Sequence, residues 1–154
     1  MTTERSAPPA HLIASVPTGQ PHAAAHAGLL EWHRIVADLD WERLPDLLAE
    51  DVVFRNPAVF EPYRGKATMV TTLRAVFSVL EDFIYLRHFG SETGYVLEFS
   101  ARIGDERLLG VDLVEFDATG KIVDFMVMMR PAETVMALAA EAGKRLSASP
   151  DAAA

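Results

Sequence analysis

The spacing of apolar positions along the chain sets the first expectations. From residue 29 they fall at Leu29, Trp32, Ile35, Val36 and Leu39, which is one face of an α-helix. Asp40 can cap a second helix with Trp41, Leu44, Leu47 and Leu48 turned inward. Pro45 weakens the start of that helix, mostly in the turn where amide donors are unpaired anyway. The run AEDVVFRN (49–56) predicts a short strand and 57–65 a loop. Residues 66–80 predict a third helix, with Met69, Leu73, Val76, Phe77 and Leu80 along one side.

Beyond residue 80 the period shortens from about 3.6 to 2. FIYLRHFG (83–90), YVLEFSARI (95–103), RLLGVDLVEF (107–116) and KIVDFMVMMR (121–130) each predict a strand. In the second of these, Tyr95, Leu97, Phe99, Ala101 and Ile103 share a face opposite Glu98, Ser100 and Arg102. Asp117-Ala-Thr-Gly120 between alternating runs is a hairpin signal. A short helix over 132–146 completes the pattern. Helices followed by an antiparallel meander give an α+β fold.

Composition narrows the function. A chain of 154 residues carrying a formal charge of −8 has no clustered Lys and Arg from which to bind nucleic acid. It has no cysteine, which excludes disulfides, thiolate nucleophiles and Cys-based metal centres. Five histidines and no cysteine offer no full metal-ligand set, and neither a metal nor a cofactor is expected. No stretch approaches the ~20 apolar residues of a membrane helix. Residues 1–28, rich in Ala, Pro and Thr, and residues 147–154 are expected as disordered arms around one domain at 29–146, with a cytoplasmic location.

Three motifs carry a resemblance. They are W-x(8)-W-x(2)-L-x(2)-L-L-A-E-D-V-V-F from Trp32 to Phe54, P-Y-R-G at 62–65, and G-V-D-L-V-E-F-D-A-T-G-K-I at 110–122. In this order they resemble the SnoaL-like polyketide cyclase and ketosteroid isomerase branch of the nuclear transport factor 2-like superfamily. The resemblance covers about 29–146. It implies a cone-shaped, curved antiparallel sheet wrapped around three N-terminal helices (the cystatin-like roll), open at one end on a small-molecule pocket.

It also implies where the chemistry should sit. Ketosteroid isomerases combine a carboxylate base, a tyrosine and a protonated carboxylic acid. Matched motif by motif, the base falls on Asn56, which cannot accept a proton near neutral pH. The tyrosine falls on Trp32, a donor without an acceptor, while the third group falls on Asp112 and is retained. Asp112 lies between Gly110 and Val114 on its face of the strand, so burial would raise its pKa; the competing reading is an outward carboxylate paired with Arg102 or Arg107. The epoxide-hydrolase pattern needs an Arg where Gly110 stands, so that chemistry is disfavoured, as is classical ketosteroid isomerisation.

The expected catalytic pair is therefore Asp112 and Asn56. Around it the expected ligand wall is Trp32, Phe54, Phe60, Phe77, Phe99, Val114, Phe125, Val127 and Met129, with Tyr63 at the mouth and His88 near a strand end. His33 is expected as a surface imidazole. Met126 and Met128 fall on the outer face, where a second copy of the chain or the terminal helix would cover them. The function expected is that of a polyketide cyclase or isomerase acting on a hydrophobic ketone by acid/base chemistry at Asp112. The alternative is a hydrophobic-ligand-binding protein that has lost its base at Asn56.

Overall fold

A computed structural model describes residues 19–148. The first apolar stripe is buried as helix α1 (Ala23–Asp38), whose inner side is Ala25, Gly28, Leu29, Trp32, Ile35 and Val36. His22 caps it by accepting the Ala25 N–H on Nδ1 at 3.1 Å, and Leu39, in left-handed conformation at φ 53°, ends it. The helix thus begins six residues inside the segment expected to be an arm. Its first turn is built from Ala, the strongest helix former, and offers no large apolar side chain for a periodicity argument. Residues 1–18 and 149–154 lie outside the described residues, as does most of each expected arm.

The second helix is shorter than expected. Only Leu44–Leu47 is helical as α2, and Leu48 already opens strand β1 (Leu48–Arg55). Pro45 can start a helical turn but cannot extend one backwards. A two-residue strand, β2 (Tyr63–Arg64), folds back on β1 with Phe54 opposite Tyr63. Helix α3 (Lys66–Val79) follows, then β3 (Glu81–Gly90), β4 (Gly94–Ile103), β5 (Glu106–Phe116) and β6 (Ile122–Arg130). Helix α4 (Ala132–Ala148) ends the described chain.

The sheet runs β2-β1-β6-β5-β4-β3. Strands β3 to β6 form the antiparallel meander, whereas β1 joins β6 in parallel, so the curved sheet is mixed. The Asp117–Gly120 turn forms as expected: Asp117 Oδ1 accepts from Thr119 N, Thr119 Oγ1 and Lys121 N. Gly120 sits at φ 84° with Ala24 O only 2.5 Å from where a Cβ would be, which locks the start of α1 against this turn. Period-2 burial then sends Leu97, Phe99, Asp112, Val114, Phe125 and Val127 to the concave side beneath the helices. Trp32 of α1 is fully buried there, 4.9 Å from the Phe125 ring.

Helix α4 packs beside α3, where Arg145 donates to the Ser78 carbonyl, and it turns Val135, Leu138 and Ala142 inward. It does not fold over the outer sheet face, where Met128 stays 54% exposed. Among the described residues no helix is long and apolar enough to cross a membrane.

Candidate functional site

The concave face, α3, α4 and the loop after β1 enclose a cavity of about 620 Å³, within the range of small-molecule pockets. From the expected wall, Trp32, Phe54, Phe77, Phe99, Phe125, Val127 and Met129 line it. Tyr63 reaches it because β2 pairs with β1 and sets its ring 6.2 Å from Phe54. Sequence reasoning did not anticipate the contribution of α4, nor that of Thr72, a buried α3 residue that opens on the cavity.

Three expected wall residues lie elsewhere. Phe60 is 96% exposed: the chain turns at Asn56, whose Oδ1 accepts the Ala58 N–H at 2.7 Å, and Phe60 falls beyond that turn. Val114 is buried but does not line the cavity, because α1 packs over that end of β5. His88 is exposed on the edge strand, its ring 5.8 Å from Tyr95. His33, expected on the surface, is half-buried against the Tyr85 ring at 5.1 Å, and its Nε2 is buried with no hydrogen-bond partner. Burial lowers its pKa, and the neighbouring His88 lowers it further.

Asp112 is the single carboxyl among the residues that line the cavity. It sits mid-strand in β5 between Leu97 of β4 and Val127 of β6 and is 5% exposed. Arg102, a partner in the competing reading, pairs with Glu81 and Asp82 on the far side. The hydrogen-bond partner of Asp112 is Tyr85, whose hydroxyl donates to Oδ2 at 2.7 Å. The Trp32 indole N–H donates in turn to the Tyr85 hydroxyl at 2.8 Å. Burial raises the Asp112 pKa from 3.8 to about 7, against the opposing effect of the Tyr85 hydrogen bond. Near neutral pH the group is therefore available both as acid and as base.

Tyr85 was the functional candidate that sequence reasoning missed. Alternation from Phe83 would have placed it inward, but β3 carries a bulge between Tyr85 and Arg87. The bulge changes the parity, so His88 and Gly90 also oppose the inward residues Leu97 and Tyr95. Counting back from His88 points to Leu86 and Ile84 instead, which are 53% and 56% exposed.

Gly110, the neighbour of Asp112 on its face, has a steric role. A Cβ there would lie 2.4 Å from Phe99 Cζ, so the Phe99 ring fills the space a longer side chain would occupy. Among the described residues no cluster of three His, Asp or Glu could hold a metal ion.

The curved α+β roll, with its mixed open sheet and helices on the concave side, is the nuclear transport factor 2-like, cystatin-like fold. The chain belongs to the SnoaL-like domain family, whose sequence model matches residues 29–125. It is similar to the solved structure of a steroid delta-isomerase from Pseudomonas aeruginosa, at 45% identity over 82% of this chain and 94% of that one, with a TM-score of 0.80. A protein with a cystatin-like fold from Silicibacter pomeroyi matches at 32% identity, 84% and 92% coverage and a TM-score of 0.78. A nuclear transport factor 2-like protein from Mesorhizobium loti shares the fold at 18% identity, 70% and 92% coverage and a TM-score of 0.62. No curated protein matches the chain.

Proposed function

We propose that this protein is an enzyme of the isomerase or cyclase type that acts on a hydrophobic ketone by acid/base chemistry at Asp112. The observation that carries this reading is the single cavity carboxyl, buried and poised near neutrality at about 7. The ionised carboxylate takes an α-proton from the substrate, and the carbon–hydrogen electron pair becomes the enolate. In an aldol cyclisation that enolate carbon attacks a second carbonyl, and Asp112 returns its proton to the new alkoxide. In an isomerisation the same proton returns to a different carbon. Both cycles restore the carboxylate and need no further group.

Asn56 supports the enolate rather than the proton transfer. Its Oδ1 is committed to the loop, and its Nδ2, a donor only, is left for a substrate oxygen. The resemblance to a steroid delta-isomerase supports the reaction class. With one carboxyl rather than two, substrates with an already acidic α-hydrogen suit the site best. The test is deuterium exchange into β-tetralone, a bicyclic hydrophobic ketone, beside a β,γ-unsaturated ketosteroid. Exchange that disappears in Asp112→Asn supports the proposal, with ketosteroid isomerisation ~10²- to 10⁴-fold below that of a two-carboxylate site. Exchange unchanged in Asp112→Asn, or efficient ketosteroid turnover, counts against it.

The committed Asn56 carbonyl also favours a second reading, in which the cavity holds a hydrophobic ligand without turning it over. Native mass spectrometry showing a retained molecule, with no exchange activity, would select that reading. In either case the apolar outer face, with Leu109 and Met128 exposed, is one that a second copy of the chain would cover.

A further inference from the structure

The Trp32–Tyr85–Asp112 chain has a direction, and the direction follows from the donors available. An indole N–H can only donate. At 2.8 Å from Trp32 Nε1, the Tyr85 oxygen must accept, which leaves its own hydrogen for Asp112 Oδ2 at 2.7 Å. A neutral carboxyl that accepts on Oδ2 carries its proton on Oδ1. That oxygen has no hydrogen-bond partner among the described residues, and Asp112 faces the cavity.

From this geometry we infer that Tyr85 is a positioning residue for Asp112, and that Trp32 sets which carboxyl oxygen presents the proton to the ligand. The inference rests on the acid/base reading of Asp112 given above. Tyr85 does not line the cavity, so it acts through Asp112 alone. Its ring is clamped by Phe83 at 5.0 Å and Phe99 at 6.3 Å, both edge-on, and by His33 at 5.1 Å. Burial holds the phenol well above its usual pKa, followed by the Asp112 charge, so Tyr85 remains a donor at any working pH. Without Trp32 the hydroxyl could turn, accept a proton from Oδ2, and leave the cavity-facing oxygen bare. The titratable groups near Asp112 are Tyr85 of β3 in contact and His33 of α1 one ring further out; β4 and β6 present Leu97 and Val127.

The experiment titrates Asp112 in ligand-free protein by carboxyl carbon NMR and follows β-tetralone exchange in the same variants. Tyr85→Phe removes the bond that favours the ionised form. Its midpoint should move upward by roughly one unit, a tenfold change in proton affinity. In the same variant kcat should fall ~10- to 100-fold with KM little changed. Trp32→Phe should lower kcat while moving the midpoint less. If Tyr85→Phe does not fold, fluorotyrosine at position 85 serves instead; its stronger donor should move the midpoint downward.

An unmoved midpoint in both Tyr85 variants overturns the positioning role, whatever the activity does. Unchanged exchange in Asp112→Asn, with the midpoint still sensitive to Tyr85, would instead sink the acid/base reading and leave the positioning intact.

Discussion

The side-chain carbonyl of Asn56 accepts the backbone N–H of Ala58 at 2.7 Å, so the loop at the cavity rim is built on a residue that also lines the cavity. An aspartate at this position would accept that N–H equally well and would add a second carboxylate to the site. Asn56→Asp should therefore keep the fold and raise ketone exchange or isomerisation ~10²-fold or more. Asn56→Leu should cost about 1 kcal/mol, because the Ala58 N–H loses its acceptor. Exchange kinetics and thermal unfolding check the two outcomes separately.

Burying Asp112 costs stability at neutral pH. An unfolded aspartate ionises near ~3.9, whereas in the folded protein this carboxyl ionises at about 7. Between those values the native state retains a proton that the unfolded chain has released. The contribution of Asp112 to stability is thus intact below the lower value and is lost as pH rises through the upper one, by on the order of 4 kcal/mol. Asp112→Asn, which can still accept from Tyr85, should match the parent protein near pH ~4 and melt on the order of 10 °C higher near pH ~8. Equal melting temperatures at both pH values would mean that the parent carboxyl is not held neutral.

Legibility in the sequence followed the strength of the local pattern. Apolar alternation in YVLEFSARI and the Asp117–Gly120 turn gave β4, β5 and β6, whereas the inward Asp112 was expected from the family resemblance, the local pattern leaving an outward carboxylate open. The parallel pairing of β1 with β6 is a long-range choice that no local period records. Tyr85 was hidden by a bulge that flips parity within β3, and Phe60 was misplaced because the turn made by Asn56 redirects the loop. The start of α1 escaped notice because alanines mark a helix by propensity and not by amphipathic contrast.

The outer sheet face allows a test of assembly. Leu109 and Met128 are exposed there at 40% and 54%, and α4 lies on the opposite side. Burying these side chains against a second copy would remove apolar surface from water at roughly 25 cal/mol per Å². Met128→Lys would place a charge in that contact without touching the cavity. Sedimentation should show a dimer for the parent and a monomer for the variant, with unchanged Asp112 titration. A parent that sediments as a monomer at every concentration removes the dimer from the proposal.

Gly110 links packing to the pocket floor. A methyl group at this position would lie 2.4 Å from Phe99 Cζ and 2.8 Å from the Met128 carbonyl oxygen. The carbonyl belongs to the paired strand β6 and cannot give way cheaply, so the Phe99 ring must move. That ring stacks on Phe83 at 4.9 Å and meets Tyr85 edge-on, and both contacts would loosen. Gly110→Ala should cost ~1–3 kcal/mol by overpacking. Because the displaced ring borders both the cavity and Tyr85, the variant should also bind β-tetralone more weakly and broaden the Asp112 titration. A variant that is destabilised yet retains ligand affinity and a sharp Asp112 midpoint would show that Phe99 relaxes away from the site, and that Gly110 serves the strand alone.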